Sequence, residues 1–276
     1  MPIVNYKPTS PGRRTMTVLR ESDVAKRPPE KSLVVKLRTH SGRNNFGRIT
    51  SRRRGGGASK MYRLVDFRRR HDGVPARVDA IEHDPYRSAN IALLHYADGR
   101  KDYILAPLGL KAGDTVMSGA DAEPRVGNCL PLSRMPLGSA MHAVESVPGQ
   151  GARYGRAAGT SISLASREGD YATLIMPSGE MRKVHVDCRA TYGQVGNVDH
   201  ALESMGKAGR NRHKGVRPSV RGSAMSPYAH PLGGGEGRMG AGRTPCSPWG
   251  LNAKGGKTRN PRKTSGRLIV RKRKKK

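Results

Sequence analysis

The positive charge of this 276-residue chain lies at its two ends, and this distribution limits what each part can fold into. Residues 1–60 contain 15 Lys and Arg against 3 Asp and Glu, and residues 205–276 contain 20 against 1. Residues 61–204 contain 17 of each and are neutral. Because like charges repel and the ends offer little apolar surface, their ordering entropy is not offset by packing on themselves. They need a polyanion, and nucleic acid provides one through its phosphates.

Short strands separated by turns are predicted for the neutral middle. The pair Asp98-Gly99 suits the positive φ angles of a tight hairpin turn between two such strands. Strand spacing of about 8–12 residues is typical of small barrels, which remove sheet edges by closing. We therefore expect an all-β fold with two barrels of roughly 70 residues each, and only one or two helical turns at 199–205. The predicted strands are 62–67, 76–81, 91–96, 101–105, 115–117, 141–147, 161–165, 171–176 and 181–186.

The two basic ends are predicted to be irregular. Residues 206–276 contain 14 Gly and 6 Pro, a composition that favours an extension moulded on a large partner. Short apolar patches at 33–37 and 268–270 are the exceptions. The predicted organisation is a basic N-terminal extension (1–60), a first barrel (61–127), a second barrel (128–204) and a basic Gly-rich C-terminal extension (205–276).

The three cysteines, Cys129, Cys188 and Cys246, form no CxxC pair, and their spacing with histidine is not that of a zinc site. We expect reduced thiols, as in a cytosol-like compartment. We also expect no signal peptide and no membrane span, since no apolar run approaches about 18 residues.

Several motifs, taken in order along the chain, resemble one family. They are Asp84-Pro85 with 87–93, Arg156 to Thr160, Pro177 to Glu180, Gly193 to Asn197, the basic run 207–222, and His230-Pro231 followed by 233–238. This series closely resembles the universal large-subunit ribosomal protein family L2, of the bacterial or organellar type. The resemblance extends over nearly the whole length of the chain.

The resemblance implies an OB-like barrel followed by an SH3-like barrel, flanked by long irregular basic extensions. It implies a structural constituent of the large ribosomal subunit that binds large-subunit rRNA. Assembly, subunit association and support of the peptidyl-transferase region are further expectations. The implied partners are rRNA, other ribosomal proteins and the small subunit, but no membrane. The implied location is the ribosome, in the cytoplasm or in an organelle. We expect no enzymatic activity, metal site or cofactor of the chain's own, apart from Mg²⁺ held by the surrounding rRNA.

The predicted RNA-binding residues combine arginines near turns with basic and glycine-rich segments. Guanidinium groups bind phosphate in a forked geometry, and glycines allow close approach of the backbone. Arg87 and Arg156 align with rRNA-contacting arginines of the family. The full set is Arg52, Arg53, Arg54, Arg68, Arg69, Arg70, Arg87, Arg156, Arg210, Arg212, His213, Lys214, Arg217, Arg221, His230, Gly233, Gly234, Gly235 and Arg238.

Two other functions stay open at this point: an RNA-modifying or transfer enzyme that uses His230, and a free nucleic-acid chaperone. The family usually has an acidic residue before this histidine, where the present chain has Ala229, and Leu232 also departs from the pattern. A histidine without an orienting acid is a poor general base. The role of Glu236, the one acid of 205–276, is not determined by the sequence.

Overall fold

A computed structural model describes residues 3–20, 23–237 and 242–273. Within these ranges the chain divides into two units. The first, here called the β unit, comprises Met1–Arg38, Ser59–Lys207 and Arg267–Lys276. The second, here called the basic unit, comprises Thr39–Ala58 and Ala208–Gly266. The basic segment before residue 60 is thus shared between the units. The predicted boundary between residues 127 and 128 stays a prediction.

The secondary structure of the described residues is almost entirely β. The strands of the first half are β1 (Ile3–Asn5), β2 (Thr17–Leu19), β3 (Val34–Val35), β4 (Tyr62–Arg63), β5 (Ala76–Glu82), β6 (Ile91–Tyr96), β7 (Lys101–Leu105) and β8 (Thr115–Val116). Those of the second half are β9 (Cys129–Pro131), β10 (Ala140–His142), β11 (Val144–Glu145), β12 (Ala152–Tyr154), β13 (Ile162–Glu168), β14 (Tyr171–Ile175), β15 (Met181–His185), β16 (Arg189–Tyr192) and β17 (Ile269–Arg271). The helix α1 (Ala208–His213) and 3-10 turns at Lys31–Leu33, Val198–Leu202, Gly222–Ala224 and Thr264–Gly266 complete the elements.

An antiparallel sheet of four strands, in the order β7-β6-β5-β8, forms the first part of the β unit. Strand β6 reads Ile-Ala-Leu-Leu-His-Tyr and is buried on both faces. On one face Leu94 packs with Val78, Ile104 and Val116. On the other face β6 packs with Tyr103 and with residues that precede the sheet in the chain. The sheet therefore has apolar contacts on both sides, which accounts for the continuous apolar run in β6.

The second part of the β unit is a seven-stranded sheet in the order β17-β15-β14-β13-β10-β16-β9. Its described core contains fully buried side chains such as Leu132, Met141, Ile162 and Leu174. The two turns between β13, β14 and β15 fall at Gly169 and Gly179, both with positive φ. These turns separate the predicted strands 161–165, 171–176 and 181–186.

Most strands of the neutral middle lie close to their predicted positions, and β6 and β7 have the predicted bounds. The predicted strand 141–147 is wrong as one element. Ala143 adopts a φ of +49°, and this breaks the segment into β10 and β11, which belong to different sheets. The predicted strand 62–67 ends at Arg63. The predicted helix at 199–205 is a 3-10 turn over Val198–Leu202.

The N-terminal segment is not wholly a free extension, because residues 24–35 lie against the first sheet. Leu33 packs on Ile91, Leu93 and Tyr103, and β3 pairs with β4. The apolar patch at 33–37, an exception to the irregular extension in the sequence, is thus paired in part as a strand. The polar contacts of this segment were not predicted.

Arg27 forms ion pairs with Asp79 at 2.7 Å and with the buried Glu82 at 3.0 Å. The hydroxyl of Tyr103 donates to Glu82 at 2.7 Å and accepts from the backbone N–H of Glu30 at 3.0 Å. Buried carboxylates that are paired and hydrogen-bonded in this way are satisfied. The acids of β5, Asp79 and Glu82, therefore help to hold the N-terminal segment on the sheet.

Candidate nucleic-acid interface

An aromatic and cationic cluster lies on the β unit around Phe67. The guanidinium carbon of Arg156 lies 5.1 Å from the centroid of the Phe67 ring, and that of Arg87 lies 5.5 Å from it. Arg87 also lies 5.8 Å from the ring centroid of Tyr62, which packs edge-on against Tyr86 at 5.3 Å. A guanidinium that stacks on an aromatic face keeps its N–H groups free to bind phosphate. We call Phe67, Arg68, Arg70, Arg87 and Arg156 the Phe67 surface.

Arg87 and Arg156, predicted as equivalent RNA contacts, differ in their environments. Arg156 is exposed, whereas the Arg87 side chain is only 14% exposed and pairs through Nε with the fully buried carboxylate of Asp84. Asp84 also accepts a hydrogen bond at 2.8 Å from the backbone N–H of Tyr86. Unlike Arg156, Arg87 is therefore largely buried and neutralises a buried acid as part of the fold.

The predicted cluster of Arg68, Arg69 and Arg70 is divided by the fold. Arg68 and Arg70 are exposed, but Arg69 is only 5% exposed. Its guanidinium donates to Ser118 Oγ at 2.9 Å and to the Gly127 carbonyl at 3.1 Å. Two N–H groups of Arg69 therefore serve acceptors within the β unit, and burial opposes the predicted RNA contact, which stays a prediction.

A buried carboxylate not identified from the sequence fixes the loop beside this surface. Glu145 is 1% exposed and accepts hydrogen bonds from the backbone N–H groups of Gly149, Gly151 and Arg189 at 2.8–3.2 Å. The N–H of Ala152 then donates to the Phe67 carbonyl at 2.7 Å. These hydrogen bonds fix the backbone of residues 149–152 and join it to the backbone of Phe67. The Phe67 ring therefore projects from a fixed main chain.

In the basic unit, the backbone of the Arg52–Arg54 run pairs with the backbone around Gly215. The N–H of Gly55 donates to the Gly215 carbonyl at 3.0 Å, and the N–H of Arg217 donates to the Arg53 carbonyl at 3.0 Å. A Cβ at Gly57 would lie 2.8 Å from the backbone of Gly215, so this close pairing requires glycine. The structure brings together the exposed residues Arg52, Arg53, Arg54, Arg212, His213, Lys214, Arg217 and Arg221, with Arg210 half-buried.

His230 has a structural environment. It is 6% exposed, and its Nδ1 accepts a hydrogen bond at 3.0 Å from the backbone N–H of Leu232. The ring lies so close to Gly222 that a Cβ there would be 2.4–2.6 Å from three ring atoms. Burial and the main-chain hydrogen bond at Nδ1 oppose the predicted direct RNA contact, which stays a prediction.

The glycines after His230 are required by close contacts within the protein itself. A Cβ at Gly233 would lie 2.5 Å from the carbonyl oxygens of Met225 and Ser226, and Gly234 has a φ of +85°. Only Gly235 of the three is exposed. The reason proposed from sequence, close approach to RNA, is therefore secondary for the first two glycines. The predicted contact Arg238 lies outside the described residues.

The basic unit has almost no core of its own. Among its described residues, His230 is the one residue that is buried. Its sequence carries 17 Lys and Arg against a single acid, Glu236, which is exposed. With no buried apolar side chain in the described part, hydrophobic burial contributes little to the stability of this unit, and its surplus of positive charge suits a polyanion.

The described residues show no cluster of three or more His, Cys, Asp or Glu side chains that could hold a metal ion. Cys129 and Cys188 are buried free thiols, and Cys246 is a partly buried one. Burial raises the pKa of the Cys188 thiol to about 12 and also raises the pKa of Cys129. No helix in the described part of the chain is both long and apolar enough to cross a membrane.

These features define a class of protein, an RNA-binding scaffold with basic extensions. They are the two main β-sheets, the cation-rich aromatic surface and the basic unit without an apolar core. Comparison with protein families agrees with this. Residues 30–118 match the family model "Ribosomal Proteins L2, RNA binding N-terminal domain", and residues 125–250 match "Ribosomal Proteins L2, C-terminal domain". The two matches together include most of the chain, and it belongs to the ribosomal protein L2 family.

Membership of this family confirms several of the sequence predictions. The fold is all-β with an OB-like part followed by an SH3-like part. The protein is a structural, rRNA-binding constituent of the large ribosomal subunit, located in the ribosome of the cytoplasm or of an organelle. The family is not an enzyme family, and nothing supports the alternative based on His230.

Proposed function

We propose that this protein binds large-subunit rRNA through two surfaces that act in different ways. The Phe67 surface makes contacts of fixed geometry, because hydrogen bonds hold the backbone of the loop that carries Phe67. The basic unit is moulded on the RNA, because it has high charge and no apolar core. The observation that carries this proposal is the burial pattern of the basic unit, in which His230 is the one buried residue of the described part.

At the Phe67 surface, Arg156 is the principal phosphate ligand. It is exposed, and stacking on Phe67 restricts its orientation. An arginine whose rotamers are already restricted loses less entropy when it binds a phosphate in a forked geometry. Arg68 and Arg70 add exposed positive charge on the same loop. Arg87 contributes indirectly, through the position of the Phe67 ring.

In the basic unit, the proposed ligands are the exposed side chains of Arg52–Arg54 and of the helix α1 region. Their backbones are paired through Gly55, Gly57 and Gly215, so the charges of two distant chain segments act together. Threaded between rRNA helices, this unit would cancel phosphate repulsion and support assembly, contact with other ribosomal proteins, joining of the small subunit and the peptidyl-transferase region. Mg²⁺ held by the rRNA would share the charge neutralisation.

Reconstitution with rRNA tests the proposal. Large subunits assembled with the full chain and washed at high salt should retain one copy each. A variant with Arg52, Arg53 and Arg54 changed to Gln should be lost at lower salt and should join small subunits less well. The matched control changes Arg100, Arg125 and Arg134 to Gln; these are exposed arginines of the β unit and remove the same charge. Equal loss for both triple variants would instead indicate a free chaperone without a fixed site.

A further inference from the structure

Trp249 is the single tryptophan of the chain, and it lies in the basic unit with 76% of its surface exposed. A large aromatic side chain in water forgoes the stabilisation that burial would provide. The described part of the basic unit has no apolar core that could receive it. The exposed Trp249 ring is therefore available to bind a partner outside the chain.

The turn that carries Trp249 is well ordered by hydrogen bonds. The N–H of Gly250 donates to the Ser247 carbonyl at 3.0 Å, and the N–H of Ser247 donates to the Leu251 carbonyl at 2.7 Å. Cys246 and Asn252 form an antiparallel bridge below the turn. Gly250 has a φ of +79°, which an L side chain rarely adopts. The ring therefore projects from a short hairpin with little backbone freedom left to lose on binding.

Arg52 lies over the indole, with its guanidinium carbon 5.0 Å from the ring centroid. The two residues are far apart in sequence, so this contact places a cation from one segment of the basic unit beside the aromatic ring of another. An indole face suits a flat, polarisable group, and a guanidinium suits a phosphate. A nucleotide supplies both groups at adjacent positions.

We propose that Trp249 stacks on an unpaired nucleobase of the rRNA and that Arg52 binds a phosphate next to that base. This inference rests on the proposed function and adds a defined contact to it. Base stacking on aromatic side chains requires a base outside a duplex, so the ligand is a nucleotide in an rRNA loop or bulge. The 17 basic residues of this unit against one acid favour a nucleic-acid partner over a protein surface.

Because Trp249 is the only tryptophan, its fluorescence reports on this contact in the full chain. Three probes distinguish the sources of a signal: large-subunit rRNA, a single-stranded oligoadenylate, and inorganic polyphosphate, which has charge but no bases. We expect rRNA and oligoadenylate to quench most of the emission and polyphosphate to leave it nearly unchanged. Equal quenching by polyphosphate would overturn the proposal, because it would show a response to charge alone.

Affinity measurements give an independent test. Trp249→Ala should weaken binding to rRNA by about 5- to 100-fold, the range expected for loss of one stacked base. Trp249→Phe should recover most of that loss. Neither should change the dependence of affinity on salt, whereas Arg52→Gln should reduce the slope of log affinity against log salt by about 1.

Leu251→Ala is the matched control, since Leu251 is 69% exposed on the same turn and has no aromatic ring; it should change affinity less than twofold. If Trp249→Ala binds as tightly as this control, the stacking proposal fails while the proposed function stands. If the unaltered chain does not bind rRNA at all, the proposed function fails. Quenching that appears in intact subunits but not with rRNA alone would assign Trp249 to a protein neighbour and would also overturn the proposal.

Discussion

Arg189 donates two hydrogen bonds from its guanidinium to the two carboxylate oxygens of Asp72, each 2.7 Å long. Arg189 belongs to β16, and Asp72 follows the loop that carries Phe67. The same guanidinium donates to the Arg69 carbonyl at 3.0 Å. The pair therefore ties the sheet of the second half of the β unit to the loop from which the Phe67 surface is built.

Asp72→Ala should lower the free energy of unfolding of the full chain by about 1 kcal/mol, because it removes a forked ion pair that solvent partly screens. Urea denaturation followed by circular dichroism measures this. Glu123→Ala is the control, since Glu123 is 64% exposed and pairs with an arginine that is 77% exposed; its effect should stay below about 0.5 kcal/mol. Equal effects of the two substitutions would show that the Asp72 pair does not stabilise the loop.

Arg87→Ala and Arg156→Ala should affect different properties of the protein: the first its stability, the second its affinity for rRNA. Arg87→Ala leaves the buried carboxylate of Asp84 without its partner and should cost about 2–4 kcal/mol of stability. Arg156→Ala removes an exposed side chain and should leave stability within about 0.5 kcal/mol, while it weakens rRNA binding by about 1–3 kcal/mol.

Thermal unfolding and rRNA titration of the same preparations distinguish these outcomes. The double variant Asp84→Asn with Arg87→Ala is the control, because it removes the orphaned charge and should recover part of the lost stability. Similar stability losses for Arg87→Ala and Arg156→Ala would contradict the assignment of Arg87 as a buried ion-pair partner.

The sequence was sufficient to predict features that depend on local patterns. The apolar run of 91–96 and the Asp98-Gly99 turn locate β6 and β7, and the charge distribution identifies the basic ends. It was not sufficient where burial depends on distant partners. Arg69 looks like its exposed neighbours in sequence, and its acceptors at Ser118 and Gly127 lie 49 and 58 residues away.

The same limit applies to acids and glycines. Glu145 accepts hydrogen bonds from Gly149 and Gly151 nearby and from Arg189, 44 residues later. The sequence alone does not show that its carboxylate is buried, because the contact with β16 depends on the fold. The requirement for glycine at Gly57 comes from Gly215, which only the paired structure reveals. Even Asp84 and Arg87, which are three residues apart, were not predicted to pair, because only the fold shows that the carboxylate of Asp84 is buried.

Acidification should destabilise the β unit through His142. This residue is 1% exposed, and its Nδ1 lies 2.8 Å from the Gly193 carbonyl. Burial lowers the pKa of His142 from 6.5 to about 4. Between these values the unfolded chain binds a proton that the folded chain does not. This stabilising contribution is therefore fully present above pH 6.5 and is lost as the pH falls toward 4, by up to about 3 kcal/mol.

Urea denaturation of the full chain at several pH values between 4.5 and 7.5 measures this effect. His142→Asn is the control, since an amide can still donate to Gly193 but does not titrate in this range. The variant should show a smaller fall in the free energy of unfolding over the same pH interval. An identical fall in both proteins would exclude His142 as the titrating group.

Gly222→Ala should disturb the loop around His230, because the new Cβ would meet the imidazole at 2.4–2.6 Å. We expect faster hydrogen exchange and faster proteolysis within 222–234, and weaker rRNA binding, with the β unit unaffected. Adding His230→Ala to this variant removes the obstructing ring and should restore part of the protection. If the double variant is as unprotected as Gly222→Ala alone, the contact between Gly222 and His230 does not determine the loop structure.

The end of the chain should have two separable roles. Strand β17 pairs with β15, at the registers Met181 to Arg271 and Arg182 to Ile269. Residues 272–276 follow it and are all Lys or Arg. Deletion of 272–276 should weaken rRNA binding and reduce the slope of log affinity against log salt by at most about 4, with stability unchanged. Deletion of 267–276 should in addition leave the edge of β15 unpaired, lower the free energy of unfolding and promote aggregation.

Replacement of 272–276 by five glutamines removes the charges at constant length and should reproduce the shorter deletion. Salt-dependent titration with rRNA and urea denaturation at high salt measure the two roles independently. If the shorter deletion destabilises the β unit as much as the longer one, the basic end is part of the fold. If the longer deletion leaves stability unchanged, the pairing of β17 with β15 does not contribute to it.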